Sequence, residues 1–361
     1  MDTPPPGPRP RLSVLLPCHD AAPTLPDAIA SLRAQTLENF EVIAVDDRSS
    51  DATADLLADW AARDPRVTVL TRAQQIIVHS GLVPALNQAA AVARAPLLAR
   101  MDADDVAHPE RFERQASYLA AHPGLAGCGA HVELFSPGQI RSGYRRYERW
   151  INGIETPEDV RKNAIVECPI AHPTLVIKKT VFDALGGYRD MGWPEDHDLV
   201  LRVLAAGARL ANLPGNPLLR WRIREDRLSL TSPAYEPAAF RRCRVHFLRA
   251  VFLDPIRDVV VWGAGRVGKP LARELIRQGT PVAAFVDLDA RKIGQEIHGA
   301  PVLSPDEFAE RAEAQTGPPK AASSPRPYVL VAVGSPGVRD EIREALEARG
   351  FHELDDFRFC A

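Results

Sequence analysis

FEVIAVDDRSSDATADLLADWAARDPRVTVL, residues 40–70, contains a strand, an acidic turn, a helix and a second strand. The apolar, β-branched run from Phe40 to Val45 stops at Asp46 and Asp47. Residues 49–64 then open on hydroxyl and carboxylate side chains suited to capping a helix, and RVTVL (66–70) returns to a strand pattern. The same unit recurs on both sides. RLSVLLP (11–17) is a strand stopped by Pro17, and residues 22–36 place Leu25, Ile29 and Leu32 at helical spacing. Residues 80–95 read as a helix and PLLARMD (96–102) as the next strand. Strands alternating with helices predict an α/β fold with a mostly parallel sheet, which binds ligands at the carboxyl ends of its strands.

The composition sets the class. The chain has 361 residues, 45% hydrophobic and 25% charged, enough apolar material for two domains. Its 44 Lys and Arg against 47 Asp and Glu give a net charge of −3, so nucleic acid is not expected as a partner. Five scattered cysteines form no C-x-x-C or zinc spacing, which fits a reducing cytoplasm. The Pro-rich leader (1–10) lacks an apolar core segment, and no run of 18 apolar residues occurs. No amphipathic basic helix stands out, so membrane contact is expected to be peripheral at most, at the inner face.

Three acidic clusters carry the chemistry. ARMDADD (99–105) puts Asp102, Asp104 and Asp105 directly after a strand. An Asp-x-Asp there can hold Mg²⁺ or Mn²⁺, which takes one or two carboxylates and completes its shell with water and phosphate oxygens. The plain alternative is a solvated acidic turn capping the helix of residues 110–121. Asp46 and Asp47 sit side by side at another strand end, where capping does not explain them; a carboxylate there can accept from the N3–H of uracil. In WPEDHDLVLR (193–202), Glu195, Asp196 and Asp198 lie at the start of an amphipathic helix (195–207) closed by Gly207. They suit the helix dipole and an i,i+4 contact with Arg202, or one of them serves as a general base.

In order, SVLLPCHD, EVIAVDDRSSDAT, GLVPALNQA, ARMDADD, HPTLVIKKTVFDALGGYRD and PEDHDLVLR resemble a bacterial family 2 glycosyltransferase of GT-A fold, over roughly residues 11–230. RWRIREDRLS (220–229) resembles the segment that follows the family's catalytic helix. RYERWINGIETPEDVRKNAIVECPIAHPT (146–174) is similar to a subgroup ending in an extra Rossmann-like domain. The resemblance implies a doubly wound mixed sheet and an inverting, metal-dependent transfer from a nucleotide-sugar, UDP-linked by expectation, to a glycan or lipid-linked hydroxyl in cell-surface polysaccharide or glycolipid synthesis. It implies Asp104 as the direct metal ligand, with Asp102 and Asp105 beside it. Asp46 or Asp47 would read the base, and Pro17 and His19 would line its pocket. Arg222 or Arg224 would face the diphosphate. Asp196 would be the catalytic base, with Glu195 as the second choice. Four positions depart from the family pattern: His19 and Asp20 stand for an aromatic and Asn, Arg48 for Gly, and Arg224 for His. His172, Trp193 and Glu167 are candidate acceptor or phosphate contacts, and Trp150 a candidate sugar-stacking ring; ordinary packing is the alternative for each.

Residues 126–150 read as irregular or antiparallel and 231–256 as a helical connector. The expected domains are therefore 11–235, a connector at 236–256, and a small α/β domain at 257–361. In VVVWGAGRVGKPLARELIRQG (259–279), Gly263, Gly265 and Gly268 form a G-x-G-x-x-G between strand and helix, and Asp287 ends the next strand 19 residues past Gly268. This pattern suits NAD or another nucleotide, or a structural appendage. An oxidoreductase or epimerase acting through this domain is the competing function. Against it, no Tyr-x-x-x-Lys pair accompanies the motif. The loop at 312–327 is rich in Pro, Ser and Ala, a composition that favours mobility.

Overall fold

The computed structural model describes residues 9–71, 81–315 and 325–361. The leader through residue 8 and most of the 312–327 loop lie outside the described residues. The chain divides into two compact units. The first comprises residues 1–160, 169–191 and 195–231; the second comprises 161–168, 192–194 and 232–361. Two short segments within the range 11–235 thus belong to the second unit, as does the stretch read as a connector.

The first unit is built on strands β1 (Leu12–Cys18), β2 (Phe40–Asp46), β3 (Val67–Thr71), β4 (Leu97–Arg100), β5 (Val106–Ala107), β6 (Leu125–Ala130), β7 (Val132–Phe135), β8 (Val176–Lys178), β9 (Arg209–Leu213) and β10 (Leu219–Arg222). Its helices are α1 (Leu25–Arg33), α2 (Thr53–Arg63), α3 (Leu82–Val92), α4 (Arg111–Ala121), α5 (Ser142–Asn152), α6 (Pro157–Asn163, which runs into the second unit), α7 (Lys179–Ala184), α8 (Glu195–Ala205) and α9 (Leu228–Thr231). Seven strands form one sheet in the order β3-β2-β1-β4-β8-β6-β9, and β5-β10-β7 form a smaller one. In the large sheet β3, β2, β1 and β4 are parallel, while β8 runs against both β4 and β6. β1 and β2 are buried almost throughout. That explains why both read as continuous apolar runs without alternation. Leu25 and Leu32 of α1 are fully buried, each contributing about 1.5–3 kcal/mol of apolar burial.

Two local expectations are corrected. Helix α2 begins after Ala52, which offers no side-chain cap, and of the polar residues before it Asp51 serves the helix start, its Oδ1 accepting from the Thr53 N–H at 2.9 Å. Ser49 does not cap but grips the neighbouring loop, its Oγ accepting from the Asp20 N–H, as Asp51 Oδ2 accepts from Ala22 and Thr53 Oγ1, in the first turn, from Ala21. Within the stretch 126–150, expected to be irregular or antiparallel, residues 142–150 belong to helix α5, which is both basic and amphipathic. Exposed Arg145, Arg146 and Arg149 stand on one face, with the partly buried Tyr144 and Tyr147 and the buried Ile151 on the other. The large aromatic spacing was masked by the density of arginines between those positions.

The second unit contains α10 (Pro237–Phe247), α11 (Gly268–Arg277), α12 (Pro305–Gln315) and α13 (Pro336–Glu347). Its strands are β11 (Val259–Trp262), β12 (Ala284–Val286), β13 (Glu296–Ile297), β14 (Ala300–Leu303), β15 (Tyr328–Val331) and β16 (Phe357–Phe359). They are ordered β13-β14-β12-β11-β15-β16, all parallel except β13. This is a doubly wound sheet whose order reverses between β11 and β15. Trp262, Val286, Phe308, Val331, Leu346 and Phe357 form its core.

Candidate active site

The order of the large sheet reverses beside β1, where β4 leaves on the opposite side from β2. At such a reversal the connections diverge and leave a crevice outside the carboxyl ends. Register aligns Cys18 with Asp46 across β1 and β2, and Leu15 with Arg100 across β1 and β4. Asp46–Asp47 and Asp102–Asp105 therefore emerge at the same end of adjacent strands.

The first half of the site is held by backbone bonds. Asp47 donates its N–H to Cys18 O at 2.8 Å, and the His19 ring pairs with Asp47 O at 2.9 Å. Asp46 and Asp47 are buried, and Asp46 Oδ1 accepts from the Ser49 N–H. Arg48, in the position where glycine is usual, adopts φ 62°, in the left-handed region that costs a side-chain-bearing residue energy. Its guanidinium lies 3.4 Å from Asp47.

The second half is the acidic triplet. Carboxylate oxygens of Asp102, Asp104 and Asp105 all lie within 4.8 Å of one another. Burial, then the charge of Asp102, pushes the Asp104 carboxyl up to about 6. Asp105 is fully buried and is raised well above the ordinary range by burial, then by Asp102 and Asp104. Its Oδ1 accepts from the Arg222 N–H at 2.8 Å, tying the turn to β10, while Oδ2 has no partner. Such crowding is costly unless protons or a cation relieve it. An all-oxygen donor set with an orphaned buried carboxylate oxygen fits a hard divalent cation.

Cations surround the triplet. Arg100, buried at the end of β4, is ion-paired with Asp102. Burial opposes its charge, but Asp102, then Tyr188 and Glu195, hold its pKa above the ordinary arginine value. The structure separates the two arginines that the sequence left as equal candidates for the diphosphate. Arg222 is committed to the fold: its Nε donates to Asp104 O at 2.6 Å, its Nη2 to Asp27, and its guanidinium covers the Phe135 ring. Arg224 instead reaches the site, with Nη1 3.7 Å from Asp104 Oδ2, while also bonded to Asp226.

On α8 the Glu–Asp pair divides by burial. Glu195 is buried, with Oε1 3.5 Å from His172 Nδ1, and His172 Nε2 meets Tyr188 Oη at 2.8 Å. Burial, then Arg100, keeps the His172 pKa well below its ordinary value, so the ring is neutral. Asp196 remains partly exposed. Asp198 is fully buried and structural, bonded twice to Arg189 and once to Arg202, the expected i,i+4 partner. Of the remaining candidates, Trp150 packs against Tyr147, while Trp193 and Glu167 belong to the second unit. There Trp193 packs on the His246 ring, and burial raises the Glu167 carboxyl against the opposing charge of Arg244.

Sequence reasoning missed Arg100, Arg111, Asn87 and Tyr188. Arg111 is fully buried, with Nη2 donating to Arg100 O and Pro173 O; burial lowers its pKa to about 9. Asn87 donates to Tyr188 O and accepts from Tyr188 N, both at 2.9 Å. One signal was available: Arg100 is a charge inside an apolar strand run, immediately before acids.

The model of "Glycosyl transferase family 2" matches residues 13–186. The amylovoran biosynthesis glycosyltransferase AmsE of Erwinia amylovora is 32% identical over 191 residues, covering 53% of this chain and 67% of that protein. The O-antigen biosynthesis glycosyltransferase WbnJ of Escherichia coli is 28% identical over 261 residues, 66% of this chain and 96% of that protein. Among solved structures, S. aureus TarS 1-349 in complex with UDP-GlcNAc aligns with TM-score 0.53 at 14% identity, covering 74% of this chain and 72% of that one, which establishes the GT-A fold. Nothing in these relatives favours the oxidoreductase or epimerase alternative.

Proposed function

The chain belongs to glycosyl transferase family 2, and from that premise we propose that it moves a sugar from a UDP-sugar to a hydroxyl of a glycan or lipid-linked acceptor, inverting the anomeric centre, in cell-surface polysaccharide or glycolipid synthesis. The observation that carries the proposal is the acidic triplet with its raised carboxyl pKa values, faced by Arg224 at 3.7 Å. The biosynthetic setting is supported by the names of AmsE and WbnJ.

Asp104 and Asp102 would hold Mg²⁺ or Mn²⁺, with Asp105 bracing the turn from beneath. When bound, the cation supplies charge neutralisation for the departing diphosphate. Arg224 adds a second positive charge on the same leaving group, and Arg100 holds Asp102 in place through their ion pair. Asp46 or Asp47 accepts the N3–H of the base, in a pocket bounded by Pro17 and His19. Asp196, the accessible member of its pair, takes the proton from the acceptor hydroxyl as that oxygen attacks the anomeric carbon from the face opposite the diphosphate. One displacement inverts the configuration. Glu195 acts through the His172–Tyr188 pair as a positioning residue.

Two variants test the reading. Asp104→Ala is expected to abolish metal-dependent release of nucleoside diphosphate. Asp196→Asn is expected to bind donor normally but to lose about 10²–10⁴-fold in turnover. Full transfer by either variant overturns the assignment. In a thermal-shift comparison with Mn²⁺, UDP-sugars should stabilise more than GDP- or dTDP-sugars; a larger shift with GDP-sugars overturns the choice of nucleotide.

A further inference from the structure

The second unit contains a cavity of about 250 Å³ that the transferase chemistry does not use. It lies over the first turn of α11, with Ile165, Val267 and Leu271 as apolar walls and Arg241, Arg244 and Arg266 as its cations. The three arginines differ in what they do. Arg244 is a structural post: Nη1 donates to Val166 O at 2.7 Å and more weakly to Ile165 O and Cys360 O. Arg241 and Arg266 make no hydrogen bond or ion pair among the described residues. No carboxylate lines the cavity.

The glycine motif adds an independent observation. Gly263 adopts φ 110°, which the turn requires, and a Cβ on Gly268 would fall 1.7 Å from Gly263 O, so that glycine is fixed by helix–turn packing. Gly265 meets neither demand: its φ is not in the left-handed region, and a Cβ there would touch nothing within 4 Å. The fold sets no requirement for glycine at 265, whereas close approach of a ligand to that backbone would. Asp287, the candidate ribose contact, is engaged by the fold itself. It accepts from Ala264 N, Asp289 N and Lys292 Nζ, pinning the glycine turn from below.

We propose that this cavity binds a compact phosphate-bearing anion, held by Arg241 and Arg266 over the N-terminus of α11 and distinct from a whole dinucleotide. The N-terminus of α11 carries the positive end of the helix dipole; its Lys269 and Leu271 N–H groups are already bonded to Gly265 O and Val267 O and Pro270 has none, so the two guanidinium groups supply the direct contacts. Guanidinium forks match phosphate oxygens. At about 250 Å³, the cavity falls below the ~300–1,000 Å³ typical of drug-sized ligands, so a phosphomonoester with a small organic body fits and a dinucleotide overfills it. Burial, then repulsion from Arg244, lowers the Arg241 pKa; an anion would relieve that repulsion. The inference does not depend on the transferase reading.

The test uses the full chain, with inorganic phosphate, a nucleoside monophosphate and NAD as separate probes, read by peptide-level hydrogen exchange and by dissociation constants. Phosphate up to about 10 mM, a range that covers millimolar affinity, should protect residues 237–244 and 264–271. The Arg241→Gln/Arg266→Gln double variant, with melting unchanged, should weaken phosphate binding at least tenfold and lose that protection. The Asp104→Ala variant should keep it, which separates this site from the donor site. Absence of protection in the wild-type chain, or equal affinity in the double variant, overturns the proposal. NAD binding a hundredfold tighter than phosphate, with protection extending through residues 284–292, overturns it in favour of a dinucleotide site.

Discussion

Asp104 shows how environment sets the protonation of a single residue. Its carboxyl is pushed from an ordinary 3.8 to about 6 by burial and by Asp102. Between about pH 4 and 6 the folded chain therefore holds a proton that the unfolded chain has released. The unfolded state binds fewer protons in that window, so the stability of the cation-free protein falls as pH rises through it. Urea midpoints of chelated protein should decline from pH 4 to 6, with a shallower decline in Asp104→Asn; identical slopes would refute the raised pKa. A divalent cation must also displace that proton, so its affinity should fall by up to about tenfold per pH unit below 6. The acids themselves were legible in the sequence because three carboxylates in four positions are conspicuous. Arg100 and Arg111, which make the cluster tolerable, were not. Their partners are backbone carbonyls and carboxylates brought together only by folding.

At the scale of elements, the site depends on a brace between α3 and the turn that follows α7. Gly187 has φ 71°, and a Cβ there would lie 2.7 Å from Asn87 Oδ1, so the turn closes directly onto the helix. Asn87 then fixes both backbone groups of Tyr188, whose hydroxyl meets His172. Asn87→Ala removes both hydrogen bonds to the Tyr188 backbone and should cost roughly 1–3 kcal/mol, with turnover reduced more than donor affinity. Denaturant melts and the separation of kcat from KM check this. Beside it, Asp198 clamps Arg189 and Arg202, and Arg202 in turn holds Leu185 O and Gly187 O. Removing that buried carboxylate leaves the buried Arg202 charge without its counter-ion, so Asp198→Ala should destabilise by about 3–5 kcal/mol in the same melts. GLVPALNQA and PEDHDLVLR thus stand out in the sequence partly for structural reasons. The helices of residues 22–36 and 195–207 were legible from apolar spacing, and that of 49–64 from its polar, capping-type opening. Helix α5 was not, because its inward face is largely aromatic and three arginines fall between those positions.

For the whole molecule, the proposal makes donor binding and metal binding one event on the first unit. With a UDP-sugar at about a hundred times its dissociation constant and Mn²⁺ present, stabilisation of about 2.7 kcal/mol is expected, and chelation should abolish it. A donor-induced shift that survives chelation would remove the metal from the donor site. Among the described residues no helix is long and apolar enough to cross a membrane. The sequence by itself determined the alternation of strands and helices, the acids at strand ends and the glycine turn of a second α/β unit, because each is a local pattern of a few adjacent residues. Tertiary structure alone decided which arginine faces Asp104, which member of the Glu195–Asp196 pair stays accessible, and that Asp287 serves the fold. It also assigned residues 161–168 and 192–194 to the second unit. The physical reason is that burial and hydrogen-bond partners are set by segments up to about two hundred residues apart, as where Arg222 meets Asp27, and no local spacing encodes those encounters.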